Sequence, residues 1–172
     1  MRTAIVFLLA NFTLTFFVIG VGVALTAIAG LPKPLAPGAA VERLLAWFVF
    51  FDVGVSYAYN FVMHGFFGAM SARFIGWADS PFQFEVATAS LGFAAVGFLA
   101  FFRGFDMRLA AILGPALFTF GAAAGHLYQM AVARNFAPGN SGIILYTDIG
   151  IPLVGFVLLW LNSRTGRTRP AS

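Results

Sequence analysis

Five long apolar stretches, separated by short segments rich in polar residues, proline or glycine, dominate the pattern of the chain. Each holds close to the roughly 20 apolar residues that a helix needs to cross the hydrocarbon core of a bilayer. Continuous apolar runs are typical of membrane helices, because the strands of a membrane barrel alternate polar and apolar positions. The sequence therefore predicts an all-α bundle of five transmembrane helices, at about residues 4–29, 44–70, 81–102, 109–133 and 143–161.

The composition agrees with a membrane protein. Hydrophobic residues make up 60% of the 172 and charged residues 9%, whereas roughly a quarter of a soluble protein is charged. We expect one transmembrane domain over residues 1–162, in contact with the lipid bilayer, and a basic, disordered cytoplasmic tail over 163–172. The chain has no cysteine, which excludes disulfides and thiolate metal sites. No run of basic residues is long enough to indicate a nucleic-acid partner.

The basic residues predict the orientation of the bundle. Five spans place three of the ten lysines and arginines on the side of the amino terminus and seven on the opposite side. Loops that carry more lysine and arginine stay in the cytoplasm. We therefore expect the amino terminus outside and the carboxyl terminus in the cytoplasm. The cytoplasmic set comprises Lys33, Arg43, Arg103, Arg108, Arg164, Arg167 and Arg169.

The second apolar stretch carries a stripe of polar side chains. Asp52, Ser56, Asn60 and His64 recur every four residues, which moves the stripe by only about 40° per step around a helix of 3.6 residues per turn. An aspartate at the centre of a membrane helix costs about 2.5 to 3.5 kcal/mol on an insertion scale. We therefore expect this face to turn toward the interior of the bundle.

Ionisable residues from four predicted spans converge at one depth. His64 and His126 lie near the outer ends of two helices, and Glu85 and Asp148 lie near the outer beginnings of two others. At 1.5 Å per residue they lie about 5 to 13 Å below the outer boundary. We predict a pocket there that binds a small ligand or relays protons, since histidine titrates near neutral pH. Its other predicted members are Asn60, Tyr128, Gln129 and Tyr146.

Three alternatives remain open at this stage. Two imidazoles and two carboxylates, from His64, His126, Glu85 and Asp148, would suffice to bind zinc or iron. The two histidines would also suit the axial positions of a haem, which would make the protein a membrane redox protein. In the third alternative the polar groups fix the register of the helices. The protein is then a structural or accessory subunit of a homo-oligomer or larger membrane complex.

Small residues beside His126 predict a close helix contact. Gly121 and Gly125 form a GxxxG pattern, which lets a neighbouring helix approach the backbone. We expect these glycines to pack against another helix of the same chain.

Three blocks of sequence carry a resemblance to a known family. GWADSPFQFE, GHLYQ and NFAPGNSGIILYTD, within residues 71–161, are similar to the motifs of a bacterial family of small integral membrane proteins of unknown function. The resemblance implies a helical membrane bundle, which for a bacterial protein of this orientation means the inner membrane. It assigns no reaction, catalytic residue or cofactor.

Overall fold

The computed structural model describes residues 2–166, and these are helical apart from short connections. The all-α prediction is therefore confirmed for the described part of the chain. In order the helices are α1 (Arg2–Ala10), α2 (Phe12–Ala29), α3 (Ala39–Phe48), the π-helix π1 (Val49–Val55), α4 (Ser56–Phe66), α5 (Gly68–Ile75), α6 (Phe82–Phe101), α7 (Phe105–Ala133), α8 (Pro138–Ser141) and α9 (Ile143–Gly166).

Four helical segments are long and apolar enough to cross a membrane. They are Phe12–Ala29, Phe82–Phe101, Phe105–Ala133 and Pro138–Thr165. The first predicted span is divided at Asn11, whose side-chain Nδ2 donates to the carbonyl of Phe7 at 2.9 Å. The amino-terminal boundary of the membrane helix therefore falls eight residues later than the predicted residue 4.

The second predicted span differs most from the expectation. It begins at Ala39, five residues before the predicted start, and is helical to Phe66 through the seven residues of π1. At Phe67 the backbone leaves helical geometry, with φ −128° and ψ 33°, and α5 follows in a segment that the sequence predicted to be a loop. A π-turn adds a residue to the helix, which the apolar pattern does not specify.

Two glycines let π1 and α6 touch at the backbone. A Cβ atom on Gly97 would lie 2.5 Å from the backbone nitrogen of Gly54, and one on Gly54 would lie 2.7 Å from the ring of Phe98. Such distances are too short for any side chain larger than hydrogen. This contact holds the Asp52 turn of π1 against α6.

The Gly97→Ala variant tests the backbone contact between π1 and α6. We expect it to lower the free energy of unfolding by about 1 to 3 kcal/mol, because overpacking forces the backbones apart. Denaturation of the purified protein in mixed micelles measures the change. Gly92→Ala on the same helix is the matched control, since nothing lies within 4 Å of its Cβ position. The control should be neutral or raise stability by up to about 1 kcal/mol; equal effects of the two variants would contradict the contact.

An ion pair between a buried arginine and a half-exposed glutamate joins four helices at the end of the bundle opposite His126. Arg108 of α7 is 5% exposed, and its Nη1 lies 2.6 Å from Oε1 of Glu42 in α3. Its other nitrogens donate to the carbonyls of Ala100 and Phe101 at the end of α6. Asn162 of α9 donates to the second carboxylate oxygen of Glu42 at 3.0 Å. Arg108 is therefore a structural residue, although it was predicted as a loop charge.

An apolar core lies beside this ion pair. It is formed by residues of α3, π1, α6, α7 and α9 that are almost completely buried. The helix α9 continues to Gly166, four residues into the predicted disordered tail; the rest of that tail, 167–172, lies outside the described residues. The core consists of Leu45, Phe48, Val49, Ala100, Ala111, Ile112 and Leu159.

Candidate functional site

A cavity of about 710 Å³ lies inside the bundle and is lined by residues from every described helix. Its volume is within the range of about 300 to 1,000 Å³ that is typical of small-molecule sites. Most of its lining is apolar, and no described lysine or arginine contributes to it. The ionisable and amide side chains that line it are Asp52, Tyr57, Tyr59, Asn60, His64, His126 and Asp148.

Asn140 connects an indole, an imidazole and two backbone carbonyls at one edge of the cavity. Its side chain is completely buried. Its Oδ1 lies 2.9 Å from Nε1 of Trp77 and 2.8 Å from Nδ1 of His126. Its Nδ2 donates to the carbonyls of His126 and Asn135, at 3.1 and 2.9 Å. Asn140 therefore has a partner for every polar atom of its side chain.

This network fixes the protonation of one nitrogen of His126. An indole N–H only donates, so the atom of Asn140 that faces Trp77 is the carbonyl oxygen. The same oxygen faces Nδ1 of His126 and requires a proton there. The other ring nitrogen, Nε2, lies 3.6 Å from Oδ2 of Asp148. Both side chains are buried and line the cavity.

The loops around Trp77 and Asn140 are joined by hydrogen bonds. Asn135 Nδ2 donates to the carbonyls of Ile75 and Gly76, at 3.0 and 3.1 Å, while its Oδ1 accepts from the backbone N–H of Ala137. Gly76 has a left-handed φ of +75°, and a Cβ there would lie 2.6 Å from Oδ1 of Asn135. The loop carrying Trp77 is thus held against the segment that leads into α8 and α9.

Asn60 and His64 line the cavity and form hydrogen bonds with side chains of α6. Nδ1 of His64 lies 2.6 Å from Oε1 of Gln83, and Nδ2 of Asn60 donates to the hydroxyl of Ser90 at 2.9 Å. These contacts orient the polar stripe of α4. The structure therefore places His64 and His126 on one cavity, each with a different amide partner.

Asp52 and Ser56 have buried oxygens that lack a partner. Asp52 is 6% exposed and Ser56 is 4% exposed. Neither Oδ1 of Asp52 nor Oγ of Ser56 has a hydrogen-bond partner within residues 2–166, and both residues line the cavity. Buried polar atoms without a partner are rare and often mark a position that a ligand or water satisfies.

Several predicted members lie away from the cavity. Glu85 is exposed and is two residues from the buried Ala87 on α6. Tyr128 and Tyr146 are 61% and 71% exposed, and each is two residues from His126 or Asp148. Two residues turn a helix by about 200°, so side chains at one depth point in opposite directions. Gln129, predicted to join this set, is also absent from the cavity lining.

The structure also differs from two further expectations, the shared metal site and the helix packing of Gly121 and Gly125. Within residues 2–166 no group of three or more His, Cys, Asp or Glu side chains is placed to share one metal ion, so the four predicted ligands are not assembled.

A Cβ on Gly121 would meet nothing within 4 Å, whereas one on Gly125 would lie 3.3 Å from the ring of Trp77. Gly125 thus makes room for a loop tryptophan, and the expected packing of Gly121 on another helix is wrong.

Sequence reasoning did not identify Trp77 and Asn140 as site residues. A signal was present, because both fall in the motif blocks that also contain His126 and Asp148. Asp52 was recognised as a costly membrane residue, but the unpaired state of its oxygen required coordinates.

Comparison with known proteins gives one match. A family model described as a family of unknown function (DUF6790) matches residues 10–168. The matched region extends beyond the three motif blocks to the amino-terminal helices. No curated protein and no solved structure matches the chain.

Proposed function

The chain belongs to this family of unknown function, and from the geometry of its cavity we propose that it is a membrane protein that binds a small, largely apolar molecule inside the bundle. The observation that carries the proposal is the cavity of about 710 Å³. Apolar side chains make up most of its wall, and polar groups from separate helices face it at a few positions. Ligand sites commonly combine an apolar wall with a few polar groups that orient the ligand.

The proposed placement in the membrane uses five spans. The continuous helical segment of α3, π1 and α4 runs from residue 39 to residue 66, which is long enough to cross a bilayer beside the four apolar helices. We place the amino terminus outside and the carboxyl terminus in the cytoplasm, in the bacterial inner membrane. His126 and Asp148 then lie in the outer half of the bundle, and the pair of Arg108 with Glu42 lies near the cytoplasmic boundary.

Proton exchange is the second candidate function, and the contact of His126 with Asp148 favours it. Nε2 and Oδ2 lie 3.6 Å apart, so a shift of less than about 1 Å would bring them within hydrogen-bond distance for proton exchange. Asn140 keeps the other ring nitrogen protonated, so any proton transfer takes place on the side that faces the carboxylate. Ligand binding remains the first candidate, because a proton path alone does not require a cavity of this volume.

The ligand proposal is tested by photolabelling with adamantyl diazirine, a small apolar probe. Protein in phosphatidylcholine nanodiscs is irradiated with the probe, and the labelled residues are mapped by mass spectrometry. We expect Met63 and Ile112, which line the cavity, to be labelled more strongly than Leu117, which is 64% exposed on α7. Exposed positions report the background from the surrounding lipid.

A pair of tryptophan variants, one that fills the cavity and one that does not, controls the labelling experiment. Ala122→Trp places a large ring at a cavity-lining position of α7, while Ala124→Trp places the same ring on its exposed side. The first variant should reduce labelling of Met63 and Ile112 to the level found on Leu117, and the second should leave it unchanged. If labelling follows lipid exposure in every variant, the ligand proposal fails, and proton exchange at the His126–Asp148 pair becomes the function that this geometry supports.

A further inference from the structure

We propose that the ligand of this cavity is a cation with an apolar body, such as a protonated aryl-alkyl amine, and that Asp52 binds its charged group. The inference rests on the proposed function, since it names the chemical class of the molecule that the cavity takes. It is carried by Asp52, which lines the cavity and whose buried Oδ1 has no hydrogen-bond partner among the described residues 2–166.

The charges around the cavity favour a positive ligand. Two aspartates line it, Asp52 and Asp148, and no described lysine or arginine does so. Asp148 has His126 as its neighbour at 3.6 Å. Asp52 has no such partner within the described chain. A carboxylate in a water-poor site is stable when a cation pairs with it, and an ammonium group supplies both a positive charge and N–H donors.

The groups next to Asp52 suit the same ligand. The hydroxyl of Ser56 is buried at the cavity without a partner, so it has a free lone pair for a second N–H donor. The rings of Phe48, Tyr57 and Phe118 also line the cavity. Aromatic faces attract cations and pack against apolar or aromatic ligand bodies. The cavity therefore offers acceptors for the head of an amine and an aromatic wall for its body.

Three compounds with one skeleton test the inference. 4-Phenylbutylamine is cationic at pH 7, 4-phenylbutanol is neutral and 4-phenylbutyrate is anionic. Each is added as a competitor to the adamantyl diazirine experiment, and protection of Met63 and Ile112 is measured. We expect the amine to protect at a concentration at least about tenfold lower than either analogue, as a buried charge pair allows.

Variants of Asp52 identify the acceptor. Asp52→Asn keeps the shape of the side chain and removes its charge, so the advantage of the amine over the alcohol should fall by about tenfold. Asp52→Glu retains the charge and should retain the preference. Asp79→Asn is the matched control, because Asp79 is exposed and does not line the cavity. Thermal unfolding shows that each variant is folded before labelling.

The outcomes separate the two proposals. If the probe labels the cavity but the three compounds protect equally, or if Asp52→Asn leaves the amine preference intact, the cation inference is overturned and the proposed function stands. Protection by the acid in preference to the amine overturns it as well. If the probe does not label the cavity at all, the proposed function itself fails. Amine preference that is lost in Asp52→Asn and kept in Asp79→Asn and Asp52→Glu supports the inference.

Discussion

The Asn140→Ala variant should unfold with a free energy lowered by about 3 kcal/mol or more. The substitution removes the acceptor shared by the indole N–H of Trp77 and Nδ1 of His126, and the donor that serves the carbonyls of His126 and Asn135. Each buried polar group left without a partner costs about 1 to 3 kcal/mol. Titration with denaturing detergent, followed by circular dichroism, measures the change in purified protein.

Two further variants define what the amide of Asn140 contributes. Asn140→Asp keeps an oxygen toward Trp77 and His126 but loses both N–H donors, so its stability should lie between those of the wild type and the alanine variant. Asn11→Ala is the control, because Asn11 makes one exposed hydrogen bond within its own turn, and it should change stability by about 0.5 kcal/mol or less. A loss below about 1 kcal/mol in Asn140→Ala would contradict the proposed role of this network.

The apolar pattern predicted most helix positions but not their local geometry. α6 begins and ends within one residue of the prediction, and α7 ends at Ala133 as expected. α7 begins four residues early, at Phe105, because Gly104 is extended and serves as its N-cap. The apolar pattern predicted neither the π-helix nor the backbone contact of Gly54 with Gly97. That contact joins residues from two helices, and a one-dimensional pattern does not contain it.

The sequence predicted some ionisable side chains of the cavity correctly and others not. His64, His126 and Asp148 line the cavity, whereas Glu85 and Tyr146 are exposed. Depth along a helix changes by only 1.5 Å per residue while direction changes by about 100°, so a prediction from depth does not give the direction of a side chain. Direction depends on which helix face packs inward, and in α6 that face is set by small residues such as Ala87 and Ser90.

The three motif blocks indicate which residues contact one another, which the depth of a residue along its helix does not. Trp77, His126, Asn140 and Asp148 lie in three separated blocks of the chain, and the structure joins them through hydrogen bonds and a 3.6 Å contact between His126 and Asp148. Asn135 also joins two of the blocks, because its Nδ2 donates to the carbonyl of Gly76. The three blocks therefore contribute to the fold of the loops as well as to the polar part of the cavity.

At the other end of the bundle, removing Glu42 should cost more stability than removing Arg108. Glu42→Ala leaves the guanidinium of Arg108 buried without its counter-ion, with only the carbonyls of Ala100 and Phe101 as acceptors. Loss of one partner from a buried pair costs about 3 to 5 kcal/mol. We expect about 3 kcal/mol or less here, because the two carbonyl acceptors remain and the position of Glu42 is half-exposed.

Arg108→Met should have the smaller effect, about 1 to 2 kcal/mol, since the methionine fills an apolar site and Glu42 remains hydrated. The side chain of Glu42 is 49% exposed, against 6% for Arg108, and Asn162 still donates to it. The double variant should therefore be more stable than Glu42→Ala alone. A double-mutant cycle in denaturing-detergent titrations measures this order. The reverse order, with Arg108→Met the more damaging substitution, would show that the hydrogen bonds from Arg108 to the end of α6 matter more than its charge compensation by Glu42.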